Sequence, residues 1–191
     1  VDCGGGLGIP YRDEPAPTPE ALAGTIKATL GELGLPVMLE PGRWIAGPAG
    51  VLLASVILQK QGTARRFLVL DAAMNDLVRP AMYEAWHGIL PVAPADLVAP
   101  LEPADVVGPV CETGDTFARG RALPSMEPGG LVALLDAGAY GAVMSSTYNM
   151  RPLAAEVLVD GDRFAVVRDR QDFSQILAGS RLPGWLGEGA S

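Results

Sequence analysis

The opening stretch VDCGGGLGIPY sets Gly4, Gly5, Gly6 and Gly8 directly after a short apolar start. Bare backbone at the end of a strand lets N–H groups approach an anion, so the cluster reads as a phosphate cradle or as a plain tight turn. It matches neither GxGxxG with a downstream acid nor the phosphate loop that ends in Gly-Lys-Ser/Thr. A second turn, Glu40-Pro41-Gly42-Arg43, joins an acid, a rigid proline, a glycine and an arginine after another apolar run. Alone it is an ordinary surface turn with an ion pair. Two such turns at the ends of successive parallel strands, however, share the face of a sheet or barrel where loop-borne sites are built, which suits a phosphorylated cofactor. The third group, GPVCETGD, brackets Cys111 and Glu112 with glycines and adds Asp115. A structural cysteine sits among apolar neighbours, whereas carboxylates here repel a thiolate and suit a proton donor better than a nucleophile. Tyr140, between Ala139 and Gly141, has little bulk beside it and reads as a loop residue.

Composition limits what these groups can serve. With 191 residues, 49% of them hydrophobic, the chain can supply the core of one full domain or parts of two. The balance of 14 basic against 22 acidic residues, a net charge of −8, and the lack of a basic stripe exclude a nucleic-acid surface and leave small molecules or proteins as partners. The longest apolar stretch, residues 47–58, is shorter than a membrane span and runs into Gln59 and Lys60, so it reads as a buried strand with its approach. Cys3 and Cys111 make no disulfide framework, and the N-terminus does not resemble a signal peptide. A cytoplasmic protein without a metal site is expected. Lys27 and Lys60 are the only lysines.

The elements that must carry these groups change character along the chain. Thr18-Pro19-Glu20 provides an N-cap, a first-turn proline and an acid near the positive helix end, which predicts a helix over residues 21–33. Leu22, Ile26, Leu30 and Leu33 give it one apolar face, and Gly34 stops it. A short buried strand over residues 36–39 follows, so the opening alternates β and α. Beyond Gly50, the runs VLLASVILQKQ, RRFLVLDA, DVVGPVC, GGLVALLDAG, LAAEVLVDG and RFAVVRDR read as short strands separated by turn residues. NDLVRPAMYEAW reads as a short helix and DFSQILAG as the last one, before a tail, LPGWLGEGAS, expected to be mobile at its end. A boundary at 47/48 therefore separates an α/β piece, residues 1–47, from a mainly β domain, residues 48–191. The α/β piece cannot close a sheet alone, since parallel strands need neighbours on both sides.

Taken in order, GGGLG, EPGR, NDLVRPAMY, GPVCETGD and DAGAYGAVMSSTYNMRP closely resemble the C-terminal half of the diaminopimelate decarboxylases, lysine-forming members of the fold-type III pyridoxal-phosphate decarboxylases. The resemblance covers almost the whole chain. It implies the last strands of an alanine-racemase-like (β/α)8 TIM-like barrel followed by a β-sandwich or barrel-like domain. It also implies a homodimer whose active site is shared across the interface. Gly6, with Glu40, Pro41, Gly42 and Arg43, would bind pyridoxal 5'-phosphate, Glu40 facing the pyridine nitrogen. Arg43, Arg79 and Tyr83 would clamp the substrate's distal carboxylate, and Glu112 would pair with its distal ammonium. Tyr140 would contact cofactor and substrate near the phosphate. Cys111 would protonate the reacting carbon, and it and Glu112 would reach into the partner subunit's site.

Two departures accompany the resemblance. Thr113 stands where the family pattern has serine, which keeps a hydroxyl. Neither Lys27 nor Lys60 fits the lysine that holds the cofactor covalently, and His87 does not match the histidine that stacks on its ring. The chain is accordingly expected to be a fragment that begins on a late barrel strand and is inactive alone, the intact protein converting meso-2,6-diaminopimelate to L-lysine and carbon dioxide. Two alternatives accompany that expectation: a related decarboxylase of ornithine, arginine or carboxynorspermidine, and a non-catalytic dimerisation module.

Overall fold

The computed structural model describes residues 1–12 and 14–187 and divides into two compact units, Val1–Met144 and Ser145–Ser191. Asp13, and residues 188–191 on which the expectation of a mobile tail falls, lie outside the described residues. Among the described residues, no helix is long and apolar enough to cross a membrane.

Six strands of the first unit form one mixed sheet: β1 (Leu52–Gln61), β2 (Arg66–Leu70), β3 (Ile89–Pro91), β4 (Glu102–Val107), β5 (Thr116–Leu123) and β6 (Leu131–Leu134), in the order β3-β6-β1-β2-β4-β5. Neighbours are antiparallel except β2 and β4, which run parallel. Alternation decides what is buried: in β2, Arg66, Leu68 and Leu70 face inward while Phe67 and Val69 are half-buried. Val56, Leu68, Leu70, Val106, Val132 and Leu134 meet in the core, and burying each such side chain contributes about 1.5–3 kcal/mol. The buried Arg66 ties the strands together at one end, its guanidinium donating to the carbonyls of Glu102 (2.7 Å), Leu123 (2.5 Å) and Pro124 (2.9 Å). Arg121 of β5 donates to the carbonyl of His87, two residues before β3, at 2.9 Å. The two edge strands are thereby drawn together and the sheet becomes nearly closed and barrel-like.

Before the sheet come α1 (Pro19–Leu30), continued as a 3-10 turn over Gly31–Leu33, and the short α2 (Gly42–Ala46). Thr18 caps α1 as its sequence predicts, accepting from the Ala21 N–H at 3.2 Å, and Gly34 ends the segment at φ +61°. The strand expected over residues 36–39 is corrected: it is reduced to a single parallel bridge, Asp2 to Met38, and Val37, Met38 and Leu39 are exposed. A parallel pair gains stability from further strands on each side, and among the described residues none pairs with either. For the same reason α1 buries none of its residues.

Two strands went unread in the sequence. β3 is too short to show a period, and β5, TFARGRAL, carries two arginines and a glycine on a sheet edge. The expected helix in NDLVRPAMYEAW is α3 (Arg79–Tyr83). The second unit holds the antiparallel hairpin β7 (Glu156–Asp160) and β8 (Arg163–Arg168), then α4 (Phe173–Leu177) with an Asp172–Gln175 capping box. α4 is not the last helix, because the described part of the tail holds one more turn, α5 (Gly184–Gly187).

Candidate active site

The glycine turn and the EPGR turn lie side by side. Across the bridge the Cys3 N–H donates to the Met38 carbonyl at 3.0 Å and the Met38 N–H to the Val1 carbonyl at 2.9 Å, and the Glu40 N–H donates to the Gly4 carbonyl at 2.8 Å. A Cβ on Gly5 would stand 2.5 Å from the Glu40 carbonyl oxygen, so this packing requires bare backbone. Gly4 and Gly6 adopt φ of +66° and +92°, which glycine alone takes without strain. The turn then enters α2 at Gly42, whose N–H is held by the Glu40 carbonyl at 2.8 Å, so that N–H donors at this helix start come from the residues after it.

Arg43, in the first turn of α2, faces a second tightly packed loop. The Ala137 N–H donates to Gly50 and the Gly138 N–H to Gly47, at 2.8 and 3.1 Å. A Cβ on Gly138 would fall 1.9 Å from the Ala46 carbonyl oxygen. This contact holds the loop against α2 and sets Tyr140 at φ +60°, a left-handed conformation unusual for a bulky residue. The Arg43 guanidinium lies 5.9 Å from the centre of the Tyr140 ring. The sequence's small neighbours mark Tyr140 only as a loop residue, and the left-handed backbone sets it apart.

Arg79 opens α3 and Tyr83 follows four residues later on the same face. Arg79 is buried and Tyr83 is exposed. The Arg79 Nη1 lies 3.1 Å from Nε2 of the buried His87, whose Nδ1 lies 2.8 Å from the Leu135 carbonyl oxygen. Tyr11 completes the group, its ring 5.4 Å from the Arg79 guanidinium and edge-on to His87 at 6.0 Å. Burial, foremost, and the charge of Arg79 lower the His87 pKa below its ordinary value, outweighing the Leu135 carbonyl that favours the proton.

A cavity of about 480 Å³ collects these elements: Tyr11, Arg43, Arg79, Tyr83, Trp86 and Tyr140 line it. Two guanidiniums among aromatic rings give it the chemistry to hold an anionic group. A larger cleft, about 590 Å³ beside Arg65 and Arg119, is open, is crossed by the Arg65–Asp105 ion pair at 3.0 Å, and holds none of the motif residues. Lys27 and Lys60 are exposed on α1 and β1, away from the cavity lining.

Cys111 and Glu112 do not line the cavity. They stand exposed on the loop between β4 and β5. Asp115 organises that loop from beneath, its buried carboxylate accepting from the Val110 N–H at 2.8 Å and from the Met74 N–H at 2.7 Å. Gly108 leaves room for it, since a Cβ there would fall 2.3 Å from a carboxylate oxygen. Glu112 accepts from the Gly114 N–H at 3.1 Å. Tyr11 and Trp86 of the cavity lining, and His87 behind Arg79, are the groups that the sequence does not mark as functional. The one signal was the chain's single histidine beside a tryptophan, eight residues after an arginine.

The family model "Pyridoxal-dependent decarboxylase, C-terminal sheet domain" matches residues 28–138. A diaminopimelate decarboxylase from Zymomonas mobilis is 46% identical over 188 residues, which are 97% of this chain and 44% of that protein. The crystal structure of a diaminopimelate decarboxylase from M. jannaschii in co-complex with L-lysine superposes with a TM-score of 0.91 at 37% identity, covering 97% of this chain and 44% of the other. That of the Helicobacter pylori enzyme complexed with L-lysine gives 0.86 at 38% identity, covering 93% and 43%. The chain thus spans less than half the length of the relatives it matches. With more than half of its own residues inside the family model and the sheet that positions the cavity among them, this chain belongs to the pyridoxal-dependent decarboxylase C-terminal sheet domain family.

Proposed function

We propose that the whole protein is a pyridoxal-phosphate-dependent decarboxylase that converts meso-2,6-diaminopimelate to L-lysine and carbon dioxide. The observation that carries this reading is the cavity in which Arg43, Arg79 and Tyr83 converge, because a substrate with a second carboxylate is what such a clamp selects. Relatives named diaminopimelate decarboxylase, two of them with L-lysine bound, support it.

The residues present fit the cofactor. The glycine turn offers bare backbone, open space stands where a Cβ of Gly6 or Gly42 would lie, and the first turn of α2 adds N–H donors beside it. Gly6, Pro41, Gly42 and Arg43 hold the phosphate in this reading, and Tyr140 contacts cofactor and substrate near it. When bound, pyridoxal phosphate supplies the electron sink for the pair released as carbon dioxide leaves. Glu40 would face the pyridine nitrogen and keep its proton in place. Arg43, Arg79 and Tyr83 orient the substrate through its distal carboxylate, so that the carboxylate to be lost is the other one. Glu112 pairs with the distal ammonium, and Cys111 delivers a proton from Sγ to the carbon that lost carbon dioxide.

Cys111 and Glu112 act in the cavity of a second subunit, a reading supported by their exposed position and their absence from the cavity lining of their own chain. The protein is then a homodimer, with residues 1–47 forming the end of a (β/α)8 barrel and residues 48–191 the β domain. The unpaired cysteines Cys3 and Cys111 suit a reducing cytoplasm. The test is turnover: folded, cofactor-loaded full-length protein is given meso-diaminopimelate and L-lysine is followed. Absence of lysine overturns the proposal, and a preference for ornithine would replace it with the alternative substrate class.

A further inference from the structure

His87 has no place in the reading above, yet it is 1% exposed and its two ring nitrogens meet partners of fixed chemistry. A guanidinium only donates, so Nε2, 3.1 Å from Arg79 Nη1, must present its lone pair. A carbonyl only accepts, so Nδ1, 2.8 Å from the Leu135 oxygen, must carry the hydrogen. These two contacts define one state, the neutral ring with Nδ1–H. Protonation would set an N–H against an N–H and a second cation against Arg79.

From this geometry we infer that His87 is a positioning residue for the clamp: as the neutral Nδ1–H tautomer it accepts from Arg79 and aims the guanidinium into the cavity. The groups around it reinforce that state. Tyr11 covers its ring edge-on and also flanks Arg79, leaving the guanidinium confined between an acceptor and an aromatic face. Arg121 of β5 donates to the His87 carbonyl, so the histidine's backbone is held by the contact that draws the edge strands together. Of the charged groups acting on the ring, Arg79 and Arg121 oppose its protonation and Asp136 favours it. A guanidinium with one donor tied to a fixed acceptor has fewer orientations to give up when a carboxylate arrives, which strengthens binding without a new contact.

The kinetic half of this inference rests on the proposed clamp, whereas the tautomer does not, and the experiment separates them. Full-length, cofactor-loaded protein is labelled with 15N-histidine, and the His87 signals are identified by their loss in His87→Gln. Near neutral pH they are expected to show a protonated Nδ1 and an unprotonated Nε2. An Nε2–H tautomer or an imidazolium overturns the inference whatever the substrate is. His87→Leu is expected to raise KM for diaminopimelate and Kd for L-lysine by about tenfold while kcat falls much less. His87→Gln, whose amide oxygen can still accept from Arg79, is expected to restore most of that loss. Wild-type KM and lysine affinity in folded His87→Leu, or an equal fall of both variants in kcat alone, would overturn the positioning role. Failure of the wild type itself to bind lysine would count against the substrate and leave the tautomer result standing.

Discussion

The Arg79 cavity and the Cys111 loop are built on opposite plans. In the cavity both arginines are backed by other groups, Arg79 by His87 and Tyr11 and Arg43 by Tyr140, and the Tyr140 loop is held by close backbone contact at Gly138. The loop holds its backbone as firmly, through Asp115, but presents Cys111 and Glu112 outward. In the proposed reading, one region binds within its own chain and the other delivers chemistry to a second subunit. Rigid backbone under exposed reactive groups is what a contribution to a neighbouring site requires.

That contrast can be broken in several ways. The largest effect is expected for Cys111→Ala, which removes the proposed proton donor and should lower kcat by about 10²–10⁴-fold with little change in KM. Unchanged turnover in steady-state assays would take Cys111 out of the mechanism. Arg79→Ala should act on the other side of the contrast, raising KM for diaminopimelate by about 10²-fold, and an unaltered KM would contradict the clamp. Co-expressing Cys111→Ala with Arg79→Ala joins the two: if the loop serves a neighbour, a heterodimer has one intact site, and random pairing returns about a quarter of wild-type activity. No recovery would put both residues in the site of one subunit.

Smaller effects sharpen the comparison. Asp115→Asn keeps the shape of the carboxylate but turns an amide N–H toward either the Met74 or the Val110 N–H. It should destabilise the fold by about 1–3 kcal/mol in urea titration and lower kcat more than it raises KM. A variant as stable and active as wild type would show that the loop needs no such support. The smallest effect is expected from pH. Because burial lowers the His87 pKa in the fold, the unfolded chain takes up a proton that the folded chain refuses. Stability should therefore fall as pH drops below the ordinary histidine value and level off once the folded ring titrates. The urea midpoint of wild type minus that of His87→Gln, followed from pH 8 down to about 5, reads this directly, and a pH-independent difference would argue against a neutral buried ring.

The hairpin β7–β8 shows where sequence reading stops. EVLVD and RFAVVR are largely apolar, like β2, and read as strands, yet Leu158, Val159 and Phe164 are exposed, whereas Leu68 and Leu70 are buried. Periodicity reports which residues can share a face, and burial needs a second layer that a two-stranded hairpin does not contain. The same holds for α1, whose cap is legible at Thr18 while its apolar face, Leu22, Ile26 and Leu30, is only half-buried.

From the sequence by itself came the order of elements, the helix cap, the paired turns and the types of residue able to bind an anion or move a proton, because local sterics and side-chain chemistry are written residue by residue. Tertiary structure alone decided that Arg43, Arg79, Tyr83 and Tyr140 border one cavity and that Cys111 and Glu112 do not. It alone turned an isolated histidine into the fixed acceptor of an arginine. The cavity draws on residues from Tyr11 to Met144, and closing so long a chain onto one point depends on the curl of the sheet and on the backbone contacts that bare glycines allow.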